Sequence, residues 1–308
     1  MKWYLKALIQ KSISLIPYGI NLNYFLQRRY GELNDIKIDD KIKGIIRGFA
    51  TPILAEHNDL HDLSGLRVVE IGTGWVPILP VILSFLNIQC KTFDINKNLK
   101  KEIVIKTLIE VCKELEILSN IPGFPPLEDM KEKLDKALQV SKLEGILQIL
   151  GIQYEAPTDT THLPIISNSQ DVTVSRSVLS SIPNKVLPRV LDELYRILKP
   201  GGLSIHSFGL QDEYASFDPN VTSINFLKYP SWFWDKFFQS RIKYCNRARY
   251  PYYLNLFKET GFNIVSFRKG LDKNSLEALS TVKIANEFRH YSEEELATVS
   301  FTVILKKT

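Results

Sequence analysis

Two acidic residues, each at the end of an apolar run, are the first candidates for chemistry in this chain. Glu70 stands near the end of Arg67-Val68-Val69-Glu70-Ile71, which leads into Gly72-Thr73-Gly74-Trp75. Asp94 closes Cys90-Lys91-Thr92-Phe93-Asp94, about 20 residues further on, where a carboxylate can take both hydroxyls of a ribose. A Gly-x-Gly turn after a strand lets the backbone approach a ligand, and a dinucleotide would also require a third glycine under its pyrophosphate. Pro77 occupies that position, which argues against NAD and FAD. A cationic ligand without phosphates, such as S-adenosylmethionine, needs the open turn only and gains from a neighbouring Glu70. Gly-x-Gly by itself is a weak signal, and a generic strand and turn with incidental acids is the alternative.

The elements that must position these residues alternate between strand and helix. After Arg67 to Ile71 comes an apolar run, Val76 to Leu83, suited to a helix packed on a sheet. Cys90 to Asp94 reads as a second strand, Ile152 to Tyr154 as a third and Asp171 to Ser175 as a fourth. Helix Lys185 to Leu198 and the turn Lys199-Pro200-Gly201-Gly202 then feed the strand Leu203 to Ser207. Helix Tyr252 to Thr260 and strands Phe262 to Phe267 and Val299 to Leu305 close the chain. This order predicts an α/β, doubly wound, mostly parallel sheet with ligands at the carboxyl ends of its strands. Candidate proton acceptors therefore lie just past the fourth and fifth strands: His206, then Asp212 and Glu213. Each has a plain alternative, a hydrogen-bonded core histidine or a solvated loop acid.

Residues 97–150 hold two helical patterns, Lys97 to Asn120 and Leu127 to Leu150, where one helix would suffice. A lid over the acceptor is one reading of this insertion, and a structural elaboration or dimer face is the other. Residues 1–64 read as an N-terminal helical cap. Leu5, Leu8, Ile9, Ile13 and Ile16 share a helical face. That face either docks on the core or, with Trp3 and the lysines, lies on a membrane surface. His57 and His61 are spaced i, i+4, but Asn58 stands where a metalloprotease motif has Glu, so no metal is expected.

Composition narrows the class. Hydrophobic content of 44% and charged content of 24% are those of a soluble globular protein, and the net charge of +5 is mild. Cys90, Cys112 and Cys245 are scattered and form no disulfide framework, so a reducing cytoplasm is expected. No apolar run reaches the roughly 18–20 residues of a membrane span. Gln10 and Lys11 interrupt what could be mistaken for a signal peptide.

Taken in order, Val69-Glu70-Ile71-Gly72-Thr73-Gly74, Asp94, Asp159 to Pro164, Ser175 to Ile182 and Arg196-Ile197-Leu198-Lys199-Pro200-Gly201-Gly202 resemble the class I S-adenosylmethionine-dependent methyltransferases. The resemblance covers about residues 66–208 and implies a Rossmann-like seven-stranded sheet over residues 65–308. It also implies that Gly72, Thr73 and Gly74 pass close to the methionine part of the cofactor, with Glu70 near its amino group. Asp94, with Ile95 beside it, would hold the ribose, and Asp159 would lie by the adenine amino group. Thr160 and Ser175 would line the adenine and methionine ends. The chain departs from many relatives at Arg176 and Ser180-Ser181, where a histidine base is missing.

Residues 211–250 read as a substrate-side insertion rich in aromatics, including Trp232-Phe233-Trp234 and Arg247-Ala248-Arg249-Tyr250. These residues, with the amphipathic start and the helical insertion, resemble a methyltransferase subgroup associated with bacterial surface-polysaccharide gene sets. The aromatics either stack on a sugar or build core, and Arg247 and Arg249 either clamp a phosphate or are solvated. The expected activity is methyl transfer to a small-molecule or glycan acceptor, through a hydroxyl. An RNA methyltransferase and a non-catalytic cofactor-binding partner are the alternatives, the first disfavoured by the absence of a concentrated basic stripe.

Overall fold

In the computed structural model, residues 2–30, 39–57, 63–240 and 244–308 are described. Helices α1 (Trp3–Leu15), α2 (Gly19–Tyr30), α3 (Asp39–Ile45) and α4 (Thr51–Glu56) come first, with a π-helical turn, Ile46–Ala50, joining the last two. The sheet begins with β1 (Arg67–Ile71), α5 (Ile78–Phe85) and β2 (Gln89–Phe93). Four helices follow before β3 (Ile152–Glu155): α6 (Lys101–Lys113), α7 (Leu115–Ser119), α8 (Leu127–Leu138) and α9 (Leu143–Ile149). Then come β4 (Gln170–Arg176), α10 (Leu187–Ile197), β5 (Leu198–Gly209), α11 (Ser231–Phe237) and α12 (Tyr250–Thr260). β6 (Phe262–Leu271), α13 (Lys273–Ala278), α14 (Glu293–Ala297) and β7 (Thr298–Lys307) complete the chain.

The seven strands lie in the order β3-β2-β1-β4-β5-β7-β6. β1 to β5 are parallel to one another, and β7 runs antiparallel between β5 and β6. The connection reverses direction across β1 and β4, so the crevice at their carboxyl ends is the switch point where such sheets bind ligands. The expected doubly wound α/β fold is the observed one. β5 is longer than the sequence suggests. Its pairing with β4 jumps from Gln170–Leu198 to Val172–Leu203, so Lys199 to Gly202 bulge out of a strand that has already started.

Period-two alternation divides the core between the two faces of the sheet. Val68, Val172, Val174, Leu203 and Ile205 pack against α3 to α9, whereas Val69, Ile71, Val303 and Leu305 pack against α10 and α12. All eight residues of α5 are buried, and Pro80 is tolerated because it lies in the first turn, where an amide has no intrahelical partner.

The apolar sides of α6 to α9 belong to this same core: Val104, Leu108, Leu118, Leu134 and Ile146 are fully buried with the β1–β2 face. These four helices therefore form a layer of the fold, which favours structural elaboration over a lid for residues 97–150. At the N-terminus, docking of the Leu5–Ile16 face is overturned. Trp3, Ala7 and Gln10 point inward, while Leu5, Leu8, Ile9 and Ile16 are exposed. The reason is Trp3, whose ring packs between Tyr214, Tyr229, Trp234 and Phe238 and so fixes the rotation of the helix. His61 lies outside the described residues.

Candidate functional site

β1 delivers Glu70 and the glycine turn to the switch point. Gly72 and Gly74 both adopt positive φ, 72° and 68°, a region that an L side chain enters only with strain. The Gly72 N–H donates to the Phe93 carbonyl at 2.7 Å. A Cβ at Gly72 would fall 2.3 Å from Val178, whereas a Cβ at Gly74 would meet nothing within 4 Å. The turn is thus packed hard against the β4 exit at one glycine and open at the other.

Glu70 is buried, and its Oε2 accepts the Thr73 hydroxyl at 2.7 Å. The Thr73 and Thr92 hydroxyls also bond to each other. Burial raises the Glu70 carboxyl to about 7, against the opposing pull of the Thr73 hydrogen bond and the charge of Arg176. Arg176 ends β4 on the same face, since Glu70 is paired with Val174 in the register. The sequence offered Arg176 only as a departure from pattern. The signal available was its parity with Glu70 across two adjacent strands.

β2 delivers Asp94. Its Oδ2 accepts the Gly74 N–H at 2.8 Å and its Oδ1 accepts the Asn96 N–H at 3.1 Å, so each oxygen keeps a lone pair for another donor. The strand exit is stapled on two sides. Trp75 Nε1 donates to Asn98 Oδ1 at 2.9 Å, and the Tyr154 hydroxyl accepts the Asn98 N–H while donating to the Asn96 carbonyl. Tyr24 of α2 packs edge-on against Trp75. Ile95, next to Asp94, is 71% exposed, an apolar surface left uncovered at the mouth of the site. None of these braces was anticipated, because each joins residues remote in sequence.

The remaining expected residues have settled differently. Asp159 is exposed and caps its own loop, accepting both the N–H and the hydroxyl of Thr161, which together hold its carboxyl below the ordinary range. Thr160 beside it is half-buried. Ser175 is fully buried, and its hydroxyl is bonded to His206 Nδ1 at 2.8 Å. His206 Nε2 bonds Ser204 at 2.7 Å, and the ring stacks on Phe257. Burial depresses its pKa to about 3. With both nitrogens engaged and no exposed surface, His206 takes the place of a hydrogen-bonded core histidine, the plain alternative to a general base.

Asp212 is also buried. It caps the turn Glu213–Ser216 by accepting the Tyr214 N–H at 2.9 Å, and it accepts an Asn225 amide N–H at 3.2 Å. It also lines a cleft of about 400 Å³ with Gln211, Ser216, Asn220, Ser223 and Asp272.

The two arginines are not phosphate clamps. Arg247 is 6% exposed and holds the Phe226 and Tyr229 carbonyls, Ser231 and Glu287. Arg249 is fully buried and donates to the carbonyls of Leu210, Glu295, Leu296 and Thr298. Of the aromatic triplet, Trp234 is core and Trp232 is exposed.

Residues 124–206 match the family model described as methyltransferase domain. A tRNA N(3)-methylcytidine methyltransferase of Drosophila melanogaster is 49% identical over 49 residues, 16% of this chain, and the chain spans 15% of that relative's length. Among solved structures, a putative sarcosine dimethylglycine methyltransferase from Galdieria sulphuraria is similar at 13% identity and a TM-score of 0.49, over 93% of this chain and 97% of that one. A 1,6-didemethyltoxoflavin-N1-methyltransferase from Burkholderia thailandensis is similar at 11% identity and a TM-score of 0.47, over 94% and 88%. The fold assignment rests on the strand order itself. That order is the Rossmann-like one of a doubly wound sheet, and within it residues 124–206 match the methyltransferase-domain model.

Proposed function

We propose that the whole protein is an S-adenosylmethionine-dependent methyltransferase acting on a hydroxyl of a small-molecule or sugar-containing acceptor. One observation carries the reading: Glu70, Gly74 and Asp94 converge at the carboxyl ends of β1 and β2, with a buried carboxyl poised near pH 7 beside an open turn. A carboxyl raised by burial favours a cationic ligand, because the ligand's charge replaces the water the carboxylate lacks. Asp94 has acceptor capacity for two hydroxyls, and Ile95 offers an apolar surface beside it. When bound, the cofactor supplies an activated methyl group on a sulfonium sulfur. The chain's own part is alignment: Glu70 and Asp94 fix the two ends of the ligand, and the braced Trp75–Asn98–Tyr154 corner keeps the turn in place. Asp212, at the edge of a cleft, and the exposed Glu213 beside it are the candidates to take an acceptor proton, and Asp212 is the one the cleft favours.

The similarity to a tRNA methyltransferase over 49 residues favours an RNA acceptor as the second reading. Against it, the two arginines at 247 and 249 are bound within the protein. The sugar-containing acceptor follows from the resemblance of residues 223–250 to the polysaccharide-associated subgroup.

Calorimetry with S-adenosylmethionine and S-adenosylhomocysteine, followed by labelled-methyl transfer into metabolite, glycan and tRNA fractions, tests both parts. Binding and label in the glycan or metabolite fraction are expected. No binding at millimolar cofactor overturns the activity, and label confined to tRNA overturns the acceptor.

A further inference from the structure

The helical hairpin α1–α2 is held to the protein by one side. Trp3 sits among four aromatic rings, the Tyr214 hydroxyl donates to Gln10, and Lys11 Nζ reaches the Asp235 carbonyl. On the opposite side of α1, and on into α2, Leu5, Leu8, Ile9, Leu15, Ile16 and Phe25 are each between 42% and 76% exposed. So many large apolar side chains exposed within one short segment mark an interaction surface.

Charge says what the surface meets. Residues 1–30 contain Lys2, Lys6, Lys11, Arg28 and Arg29 and no acidic residue. The chain's 39 Lys and Arg exceed its 34 Asp and Glu by five. The whole positive excess is therefore in the hairpin segment, and the other residues balance. Pairing two copies through this face would bring two acid-free cationic segments together, which repels. An anionic lipid surface matches both properties at once, apolar residues entering the acyl boundary while the segment's net positive charge is drawn toward the headgroups. No helix among the described residues is long and apolar enough to cross a membrane, so the hairpin lies on the surface. We propose that the α1–α2 hairpin docks the protein on anionic membranes. The same hairpin carries Tyr24, which packs on Trp75 of the glycine turn, so docking places the cofactor site near the bilayer surface.

Flotation of the full chain with vesicles of neutral phosphatidylcholine, or of phosphatidylcholine with one third phosphatidylserine, tests this without reference to activity. The bound fraction is expected to be at least tenfold higher on the anionic vesicles and to fall with salt. The double variant Leu8→Asp, Ile9→Asp is expected to lower it at least tenfold, with unchanged thermal melting. Should that variant fold poorly, hydrogen exchange in the parent protein decides instead, with slower exchange across α1–α2 expected on anionic vesicles. Equal binding to both vesicle types, no binding, or exchange unchanged by lipid overturns the proposal. So does a dimer in sedimentation that the variant converts to monomer while vesicle binding stays the same, which assigns the face to a second copy.

Discussion

The two halves of the sheet's carboxyl edge use ionisable residues in opposite ways. On the β1–β2 side, Glu70 is buried with a raised pKa, and Asp94 keeps open acceptor capacity around two backbone donors. On the β5 side, His206, Arg247 and Arg249 are tied into the protein by several hydrogen bonds each. Both sides bury polar groups, but the first answers its carboxylates only in part, with Thr73 and Arg176 at Glu70 and two backbone N–H groups at Asp94. A group whose partners all come from the chain serves the fold, and one held short of a partner is set for a ligand.

The largest expected effect comes from removing a fully answered group. Arg249→Ala would strand four buried carbonyls that bind the β5 exit to the segment entering β7. Since each unsatisfied acceptor costs roughly 1–3 kcal/mol, the loss should be about 4 kcal/mol or more. Denaturant unfolding measures it. A variant as stable as the parent but unable to turn over acceptor would erase the contrast, because the arginine would then be serving a ligand.

Glu70→Gln should act in the other direction. Glu70's folded pKa of about 7 exceeds its ordinary 4.5, so the ligand-free folded state holds a proton that the unfolded state releases. The contribution to stability is full below about 4.5 and lost as pH rises through 7. Glutamine keeps an acceptor for Thr73 and removes the ionisation, so the variant should gain about 3 kcal/mol at pH 8 and nothing at pH 4. Cofactor affinity should rise with pH through 7 in the parent and lose that slope in the variant. His206 gives the contrasting sign on the β5 side. Its pKa is depressed from 6.5 to about 3, so its share of stability is full above 6.5 and declines as pH falls from there.

How much of this was legible follows the same division. The glycine turn and Asp94 could be read directly, because a positive φ and a strand-end carboxylate are requirements of the local backbone. The strand positions followed from apolar periodicity. The roles of Arg247 and Arg249 could not be read, because their partners lie up to about fifty residues away in sequence. The orientation of α1 was equally hidden. Its two faces are both apolar, Trp3 and Ala7 against Leu5 and Ile9, and only the distant aromatic cluster decides which turns inward.

Asp94→Ala is the next smaller test. It removes two charge-assisted acceptor positions on the ligand side while releasing the Gly74 and Asn96 amides to water. A loss of roughly 1.5–3 kcal/mol in S-adenosylhomocysteine binding, on the order of tenfold to a hundredfold, is expected by calorimetry. Unchanged affinity would mean that Asp94 only holds the glycine turn in shape, making it a structural residue like those on the β5 side.

Asp212→Asn should change stability least and is therefore the most informative about the acceptor side. Asparagine caps a turn about as well as aspartate, so the Tyr214 N–H keeps its acceptor and melting should shift by under about 1 kcal/mol. What the substitution removes is basicity, since an amide cannot take a proton from an acceptor hydroxyl. If Asp212 is the base, turnover should fall by roughly a hundredfold with cofactor affinity intact, the signature of an interaction made only in the transition state. The contrast then sharpens: a single β5-side carboxylate, buried at the edge of a cleft whose lining does not include His206, would combine capping with chemistry. Near-parental turnover would instead place Asp212 with Arg247 and Arg249 among residues that serve the fold, leaving alignment by Glu70 and Asp94 as the main source of catalysis.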